Sequence, residues 1–281
     1  MLAWFGDAVT RQPLIAANWK MYKAPGEAAV LAQDVIARLS HRQQRDLELV
    51  FCPSTIALSS VSAVLRFERT AIRLGAQDVN WQPDGALTGA TSARMLVEVG
   101  CRYCLVGHSE RRYYFQESDQ DISLKLAALM AAQVTPILCV GESWEIRSVG
   151  SKIAARFVVQ QLRAALGPLD AGLLTAGTGL SPGLVVAYEP IWSIGTGQTS
   201  TPASAQEMAV VIRSELSRLF GQAFANQARI LYGGSLKPSN VAPFSVLPDI
   251  DGGLVGGSSL DALEFSDLVL NFLQARRSGI S

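Results

Sequence analysis

The feature that most constrains the fold is a regular alternation of two patterns along the chain. Short apolar runs, typical of buried strands, alternate eight times with longer segments of helical periodicity. We predict strands at 14–18, 47–52, 72–77, 103–108, 135–140, 184–189, 229–232 and 252–255, and helices at 26–39, 54–65, 92–99, 119–132, 152–166, 204–220, 238–246 and 262–276. Because parallel neighbours need a crossover connection, this order predicts an α/β fold, a single (β/α)8 barrel with an outer ring of helices.

The chain shows no boundary between domains. No Pro/Ser-rich linker or shift in composition divides its 281 residues. We predict a short N-terminal extension at 1–13, the barrel at 14–276 and a C-terminal tail at 277–281. The glycine-rich tract at 172–183 precedes the sixth strand, on the face of a barrel that usually carries stability.

Charge and hydropathy exclude several classes of partner. Lys plus Arg and Asp plus Glu each total 24, so net charge gives no indication of nucleic acid or of an anionic membrane surface. No apolar run approaches the ~18 residues of a membrane span, and the N-terminus lacks the basic start of a signal peptide. We predict a cytoplasmic protein with no nucleic-acid partner and no membrane partner.

The cysteines do not form a recognisable metal or redox motif. Cys101 and Cys104 have the C-x-x-C spacing, but they lead into a predicted strand and not into a helix. A structural zinc site would need two further ligands, and the chain has only two histidines. We interpret Cys101 and Cys104 as two buried thiols in a reducing compartment and expect no metal and no cofactor.

Polar side chains stand where the predicted strands end, which is where barrel enzymes keep their chemistry. Asn18 and Lys20 follow the first strand, His108 ends the fourth and Glu189 ends the sixth. Each has a simpler explanation: a turn cap for Asn18, a solvated cation for Lys20, a core imidazole for His108 and a strand cap for Glu189. The helix start that follows His108 would disfavour a charged imidazole, so we predict a neutral ring.

Three glycine-rich loops accompany these residues. Pro190 opens one of them, which could close as a lid over a bound anion. The others follow the seventh and eighth strands, with Tyr-Gly-Gly-Ser at 232–235 and Gly-Gly-Ser at 256–258. Their N–H groups could converge on one phosphate, although the glycines could also serve only tight turns.

Six motifs, taken together, resemble those of the triosephosphate isomerase family. They are Asn-Trp-Lys-Met at 18–21, Gly-His-Ser-Glu-Arg-Arg at 107–112, Cys-Val-Gly-Glu at 139–142, Ala-Tyr-Glu-Pro-Ile-Trp-Ser-Ile-Gly-Thr-Gly at 187–197, Tyr-Gly-Gly-Ser at 232–235 and Leu-Val-Gly-Gly at 254–257. They occur in order and with the spacing of that family, from about residue 14 to residue 272. The resemblance is therefore specific and covers nearly the whole chain.

The resemblance implies interconversion of dihydroxyacetone phosphate and glyceraldehyde 3-phosphate through an enediol, in glycolysis and gluconeogenesis. It implies that Glu189 is the base, that neutral His108 polarises the carbonyl, and that Lys20 stabilises the enediolate. Asn18 would donate a hydrogen bond to the substrate. This family is a standard example of such chemistry, with a Glu base, a neutral His and a closing loop.

The resemblance also implies the residues around the catalytic set. The lid would be 190–200, Tyr232 would latch it, and Glu110 would be a supporting carboxylate near Lys20. The phosphate would be bound by the N–H groups of Gly195, Ser235, Gly256 and Gly257. No metal or organic cofactor is implied.

A homodimer is implied as well, in which the loop after strand three enters the neighbouring active site. Gln77, Thr88 and Arg111 would be its contact residues. Two departures put the strength of the dimer in question: Ala90 stands where the family commonly has Glu facing the partner's arginine, and Asp78 stands where it commonly has Asn.

Two other functions remain open from the sequence. The same chemistry could serve a related four-carbon keto-sugar phosphate, although the intact lid sequence gives no sign of a larger pocket. A barrel that binds a phosphorylated metabolite without turnover would be expected to lack Glu189, His108 or Lys20, and all three are present.

Overall fold

The predicted barrel is confirmed. The computed structural model describes residues 11–169, 183–193 and 200–279. Eight strands form a closed sheet in sequence order, and each one pairs parallel with the next. The last strand pairs parallel with the first and closes the barrel.

The strands lie close to the predicted positions. They are β1 (Leu14–Asn18), β2 (Glu48–Cys52), β3 (Arg73–Ala76), β4 (Cys101–Val106), β5 (Thr135–Val140), β6 (Val185–Tyr188), β7 (Arg229–Tyr232) and β8 (Gly252–Val255). Strand β4 begins two residues before the predicted start, because Gly100 at φ +98° has already ended the preceding helix.

Helices surround the strands. Those in the described part of the chain are α1 (Pro25–Arg38), α2 (His41–Asp46), α3 (Leu58–Phe67), α4 (Ala93–Val99), α5 (Ser109–Tyr114), α6 (Asp119–Ala131), α7 (Trp144–Val149), α8 (Ser151–Leu166), α9 (Pro202–Phe220), α10 (Gln222–Gln227), α11 (Ala242–Ser245) and α12 (Ala262–Gly279). No helix within these residues is long and apolar enough to cross a membrane.

Several helices differ from the sequence-based expectations. The helix expected at 238–246 is only the four residues of α11, because Pro243 lacks an N–H and fits only the first turn. The last helix continues beyond the predicted end at 276 to Gly279, so the first residues of the expected tail are helical. The short helices α2, α7 and α10 were not predicted, since six residues give too little periodicity to recognise.

The core has two layers, because both faces of the sheet are buried. Alternate strand residues point into the barrel, as Leu14 and Ala16 do, while Ile15 and Ala17 pack against the helices. The four cysteines are buried and free, which confirms the prediction made for Cys101 and Cys104. Burial raises the pKa of Cys101 to about 12, which keeps it in the unreactive thiol form.

The seam between β8 and β1 depends on close packing of the two backbones. Gly252 has φ +152°, and a Cβ atom there would lie 1.8 Å from the carbonyl oxygen of Leu14. The neighbouring Asp251 is buried. Its carboxylate accepts hydrogen bonds from Arg11 at 2.6 Å, from Arg213 at 3.2 Å and from the Ile230 N–H at 2.9 Å. The seam is therefore held by a glycine and a buried carboxylate with three donors.

A charged cluster closes the lower end of the barrel interior. Arg229 is buried, with its guanidinium 2.5 Å from the Glu48 carboxylate and 2.9 Å from the Tyr103 hydroxyl. Arg73 approaches the same carboxylate at 3.9 Å, but its side chain is 53% exposed. Arg229 is thus the buried partner of Glu48, and Arg73 is a solvated one.

These two arginines provide a matched test. Arg229→Met should lower the free energy of unfolding by about 3–5 kcal/mol, because it leaves a mostly buried carboxylate without its partner. Arg73→Met should change it by no more than about 1 kcal/mol, since an exposed ion pair contributes little. Urea unfolding of both variants measures the difference. Equal effects would show that Arg229 does not hold Glu48.

Candidate active site

The predicted site residues lie together at the upper end of the barrel. A cavity of 430 Å³ there is lined by catalytic candidates from three different strands and by phosphate-loop candidates from two more. Those lining residues that the sequence predicted are Asn18, Lys20, His108, Glu189, Ser235, Gly256 and Gly257. Gly195 and most of the predicted lid, 194–199, lie outside the described residues, as do 1–10 of the predicted extension and 172–182 of the glycine-rich tract.

The backbone of Lys20 is held in an uncommon conformation that helps to position its charged side chain. It has φ +50°, a left-handed conformation that an ordinary side chain disfavours. Two side chains stabilise it: Asn18 Oδ1 accepts a hydrogen bond from the Lys20 N–H at 3.0 Å, and Gln77 Nε2 donates one to the Lys20 carbonyl at 2.8 Å. Since the Asn18 oxygen is engaged, its amide NH₂ is the group left to meet a ligand.

The Lys20 ammonium projects into the cavity and is held there by Glu110. The two charged groups are 2.6 Å apart. Glu110 also places its other oxygen 3.5 Å from His108 Nδ1. The expected supporting carboxylate is therefore next to both Lys20 and His108.

Glu189 follows β6 directly and is almost completely buried. Its carboxylate makes two contacts, 2.9 Å from Oε1 to His108 Nε2 and 2.9 Å from Oε2 to the Ser109 N–H. Burial raises the pKa of Glu189, but His108 and the Ser109 N–H lower it more, so its pKa lies below the ordinary value. In this arrangement Glu189 is an ionised acceptor turned toward the start of α5.

His108 is the N-cap of α5, and its Nδ1 accepts the Glu110 N–H at 3.2 Å. This bond leaves Nε2 as the nitrogen that carries the proton, facing Glu189. Burial lowers the pKa of His108, but Glu189 raises it above the ordinary value. We predicted a neutral ring from the sequence, but the contact with Glu189 raises the pKa of His108 and so opposes that state. The prediction still applies when Glu189 turns away, since burial and the helix N-terminus both favour the neutral ring.

Gly141, directly after β5, allows the backbone of Glu189 to pack closely against it. A Cβ atom at Gly141 would lie 1.7 Å from the Glu189 carbonyl oxygen. The Gly141 N–H is itself bound by the buried Gln161 side chain at 2.8 Å. The Cys-Val-Gly-Glu motif identified this position in the sequence, but the requirement for close approach could be seen only in the structure.

The loops after β7 and β8 form the other wall of the cavity. Gly256 and Gly257 begin a tight turn whose residues have no bulky side chain toward the cavity. Lys237 and Glu264 also line it, and the sequence analysis did not single them out. Both residues follow the glycine motifs in sequence. No sequence pattern there predicts that their side chains face the cavity.

The predicted latch, Tyr232, is buried beneath the same loops and stacks on Phe244 at 4.4 Å. Burial raises the pKa of its phenol, and Ser193 and Ser200 oppose the rise. Among the described residues its hydroxyl makes no hydrogen bond of normal geometry. Ser193 and Ser200 belong to the predicted lid and lie on either side of 194–199, so Tyr232 is close to both described parts of it.

The predicted contact residues of a dimer lie beside the cavity. Thr88 is on an exposed loop, while the Gln77 amide is engaged within its own chain, by the Lys20 carbonyl. Arg111 is not unpaired: Asp78 contacts it at 2.9 Å, and Glu117 contacts it as well. Lys125 joins both carboxylates, at 2.6 Å from Asp78 and 2.5 Å from Glu117. Two cations and two carboxylates thus form one balanced cluster.

Within residues 11–169, 183–193 and 200–279, no group of three or more His, Cys, Asp or Glu side chains could hold a metal ion. The side chains that line the cavity include the carboxylates of Glu189 and Glu264, the His108 imidazole, the ammonium groups of Lys20 and Lys237 and the Asn18 amide.

The fold and the site together define a (β/α)8 barrel of the kind that binds a small phosphorylated molecule and transfers protons on it. The carboxylate and imidazole supply acid–base groups, and Lys20 with the glycine-rich loops favours an anion. A sequence model of the triosephosphate isomerase family matches residues 13–272. The chain belongs to the triosephosphate isomerase family.

Individual relatives agree over almost their whole length. The chain is 46% identical over 259 residues to the triosephosphate isomerase of Chloroflexus aurantiacus. The aligned region covers 92% of this chain and 98% of the relative. It is 46% identical to that of a Roseiflexus species, with 92% and 97% covered. It is 43% identical over 262 residues to that of Thermus thermophilus, with 92% and 98% covered.

The contact between Glu189 and His108 leads to a pH-dependent prediction. In the wild type the pKa of His108 should lie above the ordinary value, and in Glu189→Gln it should fall, since burial and Lys20 then lower it against Glu110 alone. NMR titration of the ring resonances measures both values. The exposed His41, far from the cavity, is the internal control. A pKa of His108 that does not change in Glu189→Gln would contradict the contact.

Proposed function

We propose that this protein interconverts dihydroxyacetone phosphate and D-glyceraldehyde 3-phosphate through an enediol(ate). The observation that carries the proposal is the Glu189–His108 pair, 2.9 Å apart, in one cavity with Lys20 and the two glycine-rich loops. A triose phosphate has two reacting carbons, each with its oxygen, and a third carbon that carries the anionic phosphate. This cavity offers acid–base groups at one end and an anion-binding wall at the other.

The reaction requires a proton to move between two adjacent carbons. Glu189 removes the proton from one carbon and returns it to the other, while His108 donates its Nε2 proton to the carbonyl oxygen and takes back the proton of the neighbouring hydroxyl, so that both residues return to their starting state. For this Glu189 must leave the Ser109 N–H and turn toward the substrate. Once it has left, His108 loses the neighbour that raises its pKa and becomes the neutral donor that the reaction needs.

Lys20 and Asn18 stabilise the charge that develops on the substrate oxygens. The ammonium is already in position, since Glu110 and the strained backbone fix it, so little reorganisation accompanies the reaction. The phosphate lies against Ser235, Gly256 and Gly257, whose N–H groups are the donors. Gly195 and the lid at 190–200 belong to the same proposal, with Tyr232 as the latch.

The two alternative functions are not favoured. A binding protein without turnover would not need the buried carboxylate next to an imidazole, because that pair weakens the site for an anion. A four-carbon keto-sugar phosphate is not favoured as the substrate, because the relatives compared above all carry the name triosephosphate isomerase.

The assay is conversion of glyceraldehyde 3-phosphate by the purified protein. Glu189→Asp and Glu189→Gln should lower kcat by about 10²- to 10⁴-fold or more, because the base is shortened or removed. KM should change far less, since the phosphate wall is unaltered. Glu98→Gln, exposed on α4, is the control for loss of a carboxylate and should keep full activity. Full activity in Glu189→Gln would refute the assignment of the base.

We propose in addition that the protein is a homodimer. Exposed apolar side chains surround the cavity on the side of Lys20, and the exposed loop 82–90 projects beside them. These side chains are Met21, Tyr22, Tyr113, Tyr114 and Phe115, with Met21 94% exposed. A patch of this kind on a soluble barrel favours a protein interface, and a second copy with the same loop is the partner that we propose.

The balanced cluster at Arg111 predicts how this dimer responds to substitution. Ala90→Glu alone should change the dimer dissociation constant by less than about fivefold, because Arg111 already has carboxylates. In an Asp78→Asn background the same substitution should tighten the dimer more, since the cluster then has an excess positive charge. Sedimentation of a dilution series measures all four proteins. Strong tightening by Ala90→Glu alone would show that Arg111 lacks a partner.

The location that we propose is the cytoplasm, where the sugar phosphates of glycolysis and gluconeogenesis are present. The reducing environment there suits four buried, free thiols.

A further inference from the structure

The helix α7 carries a large aromatic side chain that the site described above does not use. Trp144 begins this helix, directly after the turn that ends β5, and its side chain is 53% exposed. An indole is seldom left half in water without a contact that gains from it. The contact here is Trp192: the two ring centroids are 6.0 Å apart, with planes inclined at 56°.

Trp192 is held by three groups that all follow β5. Its indole N–H donates to the buried Glu142 carboxylate at 3.0 Å. The guanidinium of Arg147 lies 5.7 Å from the centre of its ring, and Trp144 packs against the ring as well. A hydrogen bond, a cation–π contact and an aromatic pair therefore fix one side chain.

The position of Trp192 is transmitted to Glu189 through a short, restrained backbone. The Glu189 N–H donates to the Val140 carbonyl at 2.8 Å, and the Ile191 N–H donates to the Glu142 carbonyl at 3.1 Å. Pro190 between them has a fixed φ. The indole and the carboxylate are therefore joined by a three-residue connection that contains a proline and is hydrogen-bonded at two points.

The same helix also contacts the segment on the other side of the predicted lid. Arg147 donates to the Ser204 hydroxyl at 2.5 Å, in the first turn of α9. Helix α7 thus contacts the described residues on both sides of 194–199. Trp144 makes the contact before this segment, with Trp192, and Arg147 makes the contact after it, with Ser204.

We propose that Trp144 is a positioning residue, which packs on Trp192 and thereby fixes the placement of the Glu189 carboxylate in the cavity. The inference rests on the proposed function for its kinetic consequence and on the structure alone for its geometric one. An aromatic pair of this geometry contributes about two- to tenfold to an equilibrium.

The first test separates kcat from KM in three variants. Trp144→Ala should lower kcat by about two- to tenfold with KM for glyceraldehyde 3-phosphate nearly unchanged, because the phosphate wall is elsewhere. Trp144→Phe retains a ring and should recover most of the loss. The control is Val149→Ala on the same helix, which removes an apolar side chain that is 70% exposed and should have no effect.

The second test does not need activity. Trp144→Ala should lower the pKa of His108 toward its value in Glu189→Gln, because the carboxylate beside it is less well placed. Trp144→Phe and Val149→Ala should retain the wild-type pKa. If the wild type had no isomerase activity, the proposed function would fail, and this titration would still decide the role of Trp144.

Two results would overturn the proposal. One is an unchanged pKa of His108 in Trp144→Ala. The other is a loss of kcat in Val149→Ala as large as that in Trp144→Ala, which would mean a general loosening of the helix. Lower thermal stability with neither change would assign Trp144 a structural role only.

Discussion

Closure of the sheet between β1 and β8 is the constraint on which the rest of the structure depends. Eight parallel strands in a closed ring must all end at the same rim, so residues 18, 108 and 189, far apart in sequence, meet around one cavity. The seam is possible because Gly252 lets the backbones approach and because Asp251 receives two guanidinium groups and an N–H. No single loop could bring these groups together without the ring.

Above the ring, the site is organised by close contacts between acidic and basic side chains within one chain. Lys20 lies against Glu110, Glu189 against His108, and Arg111 with Lys125 against Asp78 and Glu117. Each pair offsets the cost of removing a charge from water, and each sets the direction in which a side chain points. The strained backbone of Lys20 belongs to the same scheme, since Asn18 and Gln77 stabilise it from both sides.

The sequence predicted the strands and the rim residues well, because both follow from short-range patterns. A buried strand has a continuous apolar run, and residues at its end are found by counting. The sequence did not predict that Glu189 lies on the Ser109 N–H and raises the pKa of His108, since that depends on two strands far apart in the chain. Lys237 and Glu264 were missed for the same reason. The α11 segment was overestimated because the apolar pattern there took no account of Pro243.

Acidic and basic side chains occupy both ends of the barrel interior, and the apolar side chains of the interior lie between them. Arg229 and Glu48 lie at the lower end, and Glu189 and His108 at the upper end. The consequence is evolutionary. The lower end serves stability and the upper rim serves chemistry, so a lineage can vary the lower charged cluster for heat or cold while it keeps the upper one. The reverse also holds, and a barrel of this design can exchange one rim chemistry for another while its foundation stays the same.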